Sequence, residues 1–200
     1  MIGRSQLVRR ERAASGTASR GTLVALHSDG ADSSELLPLC AELGAEFDVL
    51  APQASRSRNP FLSSAPPDDP RWRAYAGFSW FRRDDAGRPE PASFGDSLWQ
   101  VQQLLLELHE RGADPVTLLG YREGATLALG AALALPELLD GVVAIDGALP
   151  EIAGWSERFS YSADLPVAEI RADYTDPRGA AGAVAKFLDE RRGGASDGRG

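Results

Sequence analysis

Gly120 and Gly124 stand four residues apart, between an apolar run from Val116 to Leu119 and a stretch of small residues that continues to Ala134. The pattern reads as a strand, a tight turn and a helix. That backbone, written G-x-S-x-G, displays a nucleophile at the centre of its turn. Here the centre is Arg122. A guanidinium stays protonated at any working pH, so Arg122 cannot attack a carbonyl. It is suited instead to hold a carboxylate or phosphate through two parallel hydrogen bonds. The amides that open the following helix at Glu123 point at the same spot and favour negative charge.

Few other residues offer chemistry. Of the two histidines, His27 ends a buried run and reads as a packing or hydrogen-bonding residue of its loop, and His109 as a solvated helix residue. One histidine without spaced partners makes no zinc site. Cys40, the single cysteine, falls on a helix stripe with Leu36 and Leu43 and reads as core. Ser79 mimics an elbow serine locally, but bulky Trp80 and Phe81 follow it, and it reads as a loop residue. Asp146 and Asp176 are the carboxylates expected near Arg122. A buried charge is usually paired, so either could neutralise the guanidinium and leave no ligand to bind.

These residues need elements to position them. Continuous apolar runs predict strands buried on both faces at 21–28, 47–51 and 141–146, and PVAEIR at 166–171 reads as the last strand. Helices are expected from Ser33 or Ser34 to Leu43, from Ser93 to Arg111, through the small-residue stretch to Pro136, and over 178–192. Residues 53–92 hold six of the thirteen prolines and the aromatics Trp72, Tyr75, Phe78, Trp80 and Phe81. A loop of that length is expected to be an ordered cover, either lining a pocket or capping the sheet. Alternating strands and helices imply an α/β layered domain with a mainly parallel sheet. Residues 1–20 read as a flexible leader, 21–192 as a single domain and 193–200 as a disordered tail.

Composition narrows the function classes. Two hundred residues with 43% apolar content suit one globular domain with a sizeable core. A net charge of −8 argues against nucleic acid as a partner. No apolar run approaches the roughly 18 residues a membrane span needs. A cytoplasmic protein is expected, with no cofactor and no metal.

Several segments together resemble the phospholipase/carboxylesterase group of α/β-hydrolases, which includes acyl-protein thioesterases. LHSDGADSSELLPL (26–39) is similar to the oxyanion-loop motif L-H-G-x-G-x-D and its helix. DVLAPQA (48–54) resembles the strand leading to A-P-x-A, and GFSWF (77–81) the G-x-x-W-F element. LLGYREGATLAL (118–129) resembles the elbow, usually G-F-S-Q-G, and GVVAIDGALPE (141–151) the strand after it. The resemblance spans about residues 21–177 and implies a three-layer α/β-hydrolase-like sandwich.

The resemblance also implies site residues. It puts the nucleophile position at Arg122 and the acid of an Asp-Pro dipeptide at Asp176, with Asp173 as alternate. The oxyanion donors fall at the Glu123 amide and one near Asp29, His27 belongs to the oxyanion loop, and Trp80 and Phe81 line the pocket. The family's histidine follows one further strand that the sequence does not reach, so a C-terminally shortened sheet is expected. Strand 166–171 would then be an open edge, covered by the 178–192 helix or by a second chain. The expectation is a catalytically degenerate member that binds a small anionic or acyl ligand or a partner chain. The alternatives are an ester hydrolase of the family, or an enzyme of altered chemistry using the oxyanion amides and Arg122.

Overall fold

The computed structural model describes residues 9–13, 19–58, 77–113, 115–152, 165–172 and 176–196. Six strands form the main sheet in the order β1 (Arg9–Arg12), β3 (Asp48–Pro52), β2 (Thr22–Leu26), β6 (Val116–Tyr121), β7 (Gly141–Ile145) and β8 (Val167–Ile170). All neighbours pair in parallel except β1, which runs antiparallel to β3. A two-residue hairpin of β4 (Arg56–Ser57) and β5 (Phe78–Ser79) stands apart from it.

The apolar runs become strands because both of their faces are covered. Along β2, Val24 and Leu26 face one layer while Leu23 and Ala25 face the other. On the first side they meet α2 (Pro91–Glu110) and α3 (Glu123–Ala134). On the second they meet α1 (Leu37–Glu42) and α4 (Ala181–Ser196). Each large apolar side chain buried this way contributes about 1.5–3 kcal/mol. The result is a three-layer α/β sandwich with a mainly parallel sheet. Cys40 is fully buried in the second layer.

Four local features differ from the sequence expectation. Arg9–Arg12, inside the expected leader, pairs with β3 as an edge strand. α1 begins at Leu37 rather than after Ser33 or Ser34, because the Asp32 carboxylate takes the Ser34 amide at 2.6 Å and holds that segment as a turn. α2 is capped by the Glu90 side chain, which accepts from the Ala92 and Ser93 amides, while Ser93 Oγ accepts from the Arg82 amide at 2.9 Å. α4 runs to Ser196, past the point where the tail was expected to start.

β8 ends the sheet, paired only with β7 among the described residues. α4 lies on the sheet face, where Val184 and Leu188 pack with α1. Trp72, Tyr75 and Asp173 lie outside the described residues. No helix among the described residues is long and apolar enough to cross a membrane.

Candidate functional site at the strand carboxyl ends

β2 lies at the centre of the sheet. The chain leaves it to form β3 on one side and returns to form β6 on the other. This reversal falls at the carboxyl ends of β2 and β6, the place where open α/β sheets bind ligands. The elbow stands there. Arg122 follows β6 with φ 52° and ψ −106°, a conformation side-chain-bearing residues rarely adopt and one that costs of order 1–3 kcal/mol. Its amide donates to the Ile145 carbonyl at 2.8 Å, which extends the pairing of β6 with β7 past the strand end.

The two glycines make the bend possible. A Cβ on Gly120 would stand 2.4 Å from the Gly124 carbonyl oxygen, and one on Gly124 would stand 2.1 Å from the Leu26 carbonyl oxygen. The start of α3 therefore rests directly on the end of β2. The first amides of α3 have no acceptor within the helix, and Arg122 precedes them on the strained turn.

Arg122 pairs with neither expected carboxylate. Asp146, also at positive φ (50°), takes the Ala172 amide on Oδ1 at 3.1 Å, and its buried Oδ2 has no hydrogen-bond partner. Asp176 is half exposed and caps the turn it begins. It accepts from the Arg178 amide at 3.0 Å and holds the Arg178 guanidinium at 2.6–3.0 Å, which keeps its carboxyl below the usual range. The Arg122 guanidinium carbon lies 6.0 Å from the centre of the Tyr121 ring.

His27 is fixed as a structural residue. Its Nε2 accepts from the Ala54 amide at 3.0 Å, so the neutral ring carries its proton on Nδ1, which donates to the Ser28 carbonyl at 2.7 Å. Burial lowers its pKa. Both ring nitrogens are engaged, and neither is available as a base. Asp29 lies in the turn beyond, with its carboxylate 3.6 Å from Arg58 on the surface. His109 is exposed on α2.

Trp80 and Phe81, pocket lining by the resemblance, are 0% and 1% exposed and pack in the first core layer, Phe81 against Phe94. The reason is the anchoring of the loop that carries them. Trp80 donates its indole N–H to the His27 carbonyl at 2.9 Å and its amide to Glu123 Oε2 at 2.8 Å. Its carbonyl accepts from Arg56 at 2.6 Å and from the Ser97 hydroxyl. Ser79 Oγ sits 3.0 Å from Glu123 Oε1 and 2.8 Å from the Phe81 carbonyl oxygen.

Glu123 is thus a clip between the elbow and the loop, a role its sequence position does not announce. It is 2% exposed, and burial pushes its carboxyl up to about 7 against the opposing hydrogen bond from Trp80. The one available signal is the acidic residue itself, standing where the resembled motif has glutamine. Among the described residues no group of histidine, cysteine, aspartate and glutamate could hold a metal ion.

Comparisons with known proteins agree with this architecture. A carboxylesterase from Mesorhizobium loti superposes with a TM-score of 0.62 at 22% identity, covering 87% of this chain and 90% of its own. The Bacillus cereus carboxylesterase gives 0.68 at 16% identity, with 94% and 95% covered. YahD, solved with malic acid, gives 0.65 at 14% identity, with 93% and 100% covered. No curated protein matches the sequence significantly. The sequence profile of the family described as Phospholipase/Carboxylesterase matches residues 45–188. With that match over most of its length, and with the fold and elbow described above, the chain belongs to the phospholipase/carboxylesterase family of α/β-hydrolases.

Proposed function

We propose that this family member binds a small anion at its elbow and does not form an acyl-enzyme there. The observation that carries the reading is Arg122 in the strained elbow conformation, at the position from which the family's serine attacks. Acyl transfer needs a hydroxyl nucleophile and a base. A guanidinium supplies neither, and both nitrogens of His27 are engaged. The amides at the start of α3 and the one near Asp29, which would stabilise an oxyanion, remain suited to a carboxylate beside Arg122. YahD, whose structure was solved with malic acid, a dicarboxylic acid, supports a ligand of that class.

A second reading is favoured by Asp146. Its buried Oδ2 has no hydrogen-bond partner and stands at the end of β7, beside the elbow strand. That open acceptor is placed to take a hydrogen bond from the acid or hydroxyl proton of a bound ligand, which would be chemistry without a covalent intermediate.

Titration with malate and with inorganic phosphate, followed by tryptophan fluorescence, tests the first reading. Saturable binding is expected in the wild type, weakened roughly tenfold or more in Arg122→Ala as a charge-assisted bidentate contact is lost. Flat titrations of both proteins sink it. Labelling of a serine by a fluorophosphonate probe, with turnover of p-nitrophenyl acetate, would restore the hydrolase reading. Proton exchange at a bound acid that disappears in Asp146→Asn favours the second.

A further inference from the structure

At the opposite end of the same strands lies a cavity of about 460 Å³, within the size range of small-molecule sites. Leu23 and Thr117 are register partners on β2 and β6, and they lie side by side at its floor. Phe47, Pro115 and Leu188 form its apolar walls. Its rim carries four charges, on Arg20, Glu46, Asp140 and Arg191.

The two arginines differ in their state. Arg20 is tied to Glu46 at 2.5 Å and to Asp189 at 2.6 Å, and it stacks over Phe47 at 4.8 Å. Arg191 forms no hydrogen bond or ion pair with a described residue, and Asp140 acts on it only through space. It is held against the start of β7, where the absence of a side chain on Gly141 makes the room: a Cβ there would stand 2.1 Å from Arg191 Nη1. Thr117 is 5% exposed, and its hydroxyl makes no hydrogen bond to a described residue. Asp140 is already engaged, its Oδ2 accepting from the Val116 amide at 2.7 Å.

We propose that this cavity binds a small monocarboxylate with an apolar body. The carboxylate lies on the Arg191 guanidinium and the Thr117 hydroxyl, and the body lies against Leu23, Phe47 and Leu188. The guanidinium fork matches a carboxylate's two oxygens. With Arg20 held by Glu46 and Asp189, Arg191 is left to match a single negative charge, whereas a dianion meets both Glu46 and Asp140. The site lies at the amino ends of the strands and is independent of whatever binds at the elbow.

The test is amide chemical-shift titration of the intact protein with hexanoate, benzoate and inorganic phosphate. Hexanoate and benzoate should shift the amides of Leu23, Thr117 and Leu188 saturably, in the wild type and in Arg122→Ala alike. Arg191→Met should weaken binding about tenfold or more and Thr117→Val severalfold, the scale of lost hydrogen bonds to a charged group. Both variants keep side-chain volume, and Thr117→Val keeps strand propensity, so their spectra should otherwise match the wild type. Phosphate should leave these amides unmoved. The proposal falls if the carboxylates move none of these amides, if Arg191→Met binds as tightly as the wild type, or if phosphate shifts the same amides as strongly.

Discussion

Gly124→Ala should destabilise the protein by at least about 4 kcal/mol, against a total stability of roughly 5–15 kcal/mol for a domain of this kind. The new methyl carbon would stand 2.1 Å from the Leu26 carbonyl oxygen, 2.5 Å from its carbon and 2.6 Å from the His27 carbonyl oxygen. All three are backbone atoms, so no side chain can rotate away. Relief requires α3 to lift off the end of β2, which would open the layer holding Ala125, Leu127 and Ala128. Gly95→Ala is the control. It lies within α2 and a Cβ there meets nothing within 4 Å, so alanine should stabilise the helix by roughly 0.5–1 kcal/mol. Denaturation midpoints moving in opposite directions for the two variants are the expected result. A Gly124→Ala midpoint within error of the wild type would show that the elbow is not packed this tightly.

Gly120 and Gly124 make the elbow legible in the sequence, because a strand-to-helix turn this tight tolerates no side chain at those positions. The buried runs TLVAL and GVVAI are legible for a related reason: a strand covered on both faces has no polar alternation to obscure it. Arg9–Arg12 is not legible. Edge strands are often charged, and RRER carries no apolar signal at all. The start of α1 is obscured by a competition between caps, since Asp32, not a serine, organises the turn before it.

The site is legible in its residue types and not in its pairings. Asp176 reads as a partner for Arg122, but it is held by Arg178 two residues away and acts as a local cap. Trp80 and Phe81 read as ordered aromatics lining a pocket. Their burial depends on Arg56, Ser97, His27 and Glu123, which converge on Trp80 from four separate segments. The amino-end cavity has no sequence signature for the same reason, because Thr117, Gly141 and Arg191 meet only once the sheet and α4 are assembled.

Glu123→Gln should remove a pH dependence that the wild type carries between about pH 4.5 and 7. The geometry accommodates a protonated carboxyl: Oε2 accepts from the Trp80 amide, and Ser79 Oγ, 3.0 Å from Oε1, also lies 2.8 Å from the Phe81 carbonyl oxygen, so its single proton can go to Phe81 while a protonated Glu123 donates to it. Burial raises the folded-state pKa from 4.5 to about 7. Below pH 4.5 folded and unfolded chains are both protonated there. As pH rises to about 7 the unfolded chain releases its proton while the folded chain keeps it, so stability falls with rising pH. Above 7 both are ionised and the loss is complete, roughly 3 kcal/mol at 1.36 kcal/mol per pKa unit. His27 acts in the opposite sense. Its lowered pKa means the unfolded chain takes a proton first as pH falls through 6.5, which costs stability on the acid side. The wild-type curve alone therefore mixes two trends, and the difference between wild type and Glu123→Gln isolates the carboxyl. Glutamine keeps the acceptor for Trp80 and a donor for Ser79 at every pH. It should match the wild type near pH 4.5 and exceed it by about 2–3 kcal/mol at pH 8. Urea denaturation across that range reads the difference directly. Parallel curves would mean that Glu123 is ionised in the folded protein at neutral pH, with Trp80 and Ser79 both donating to it.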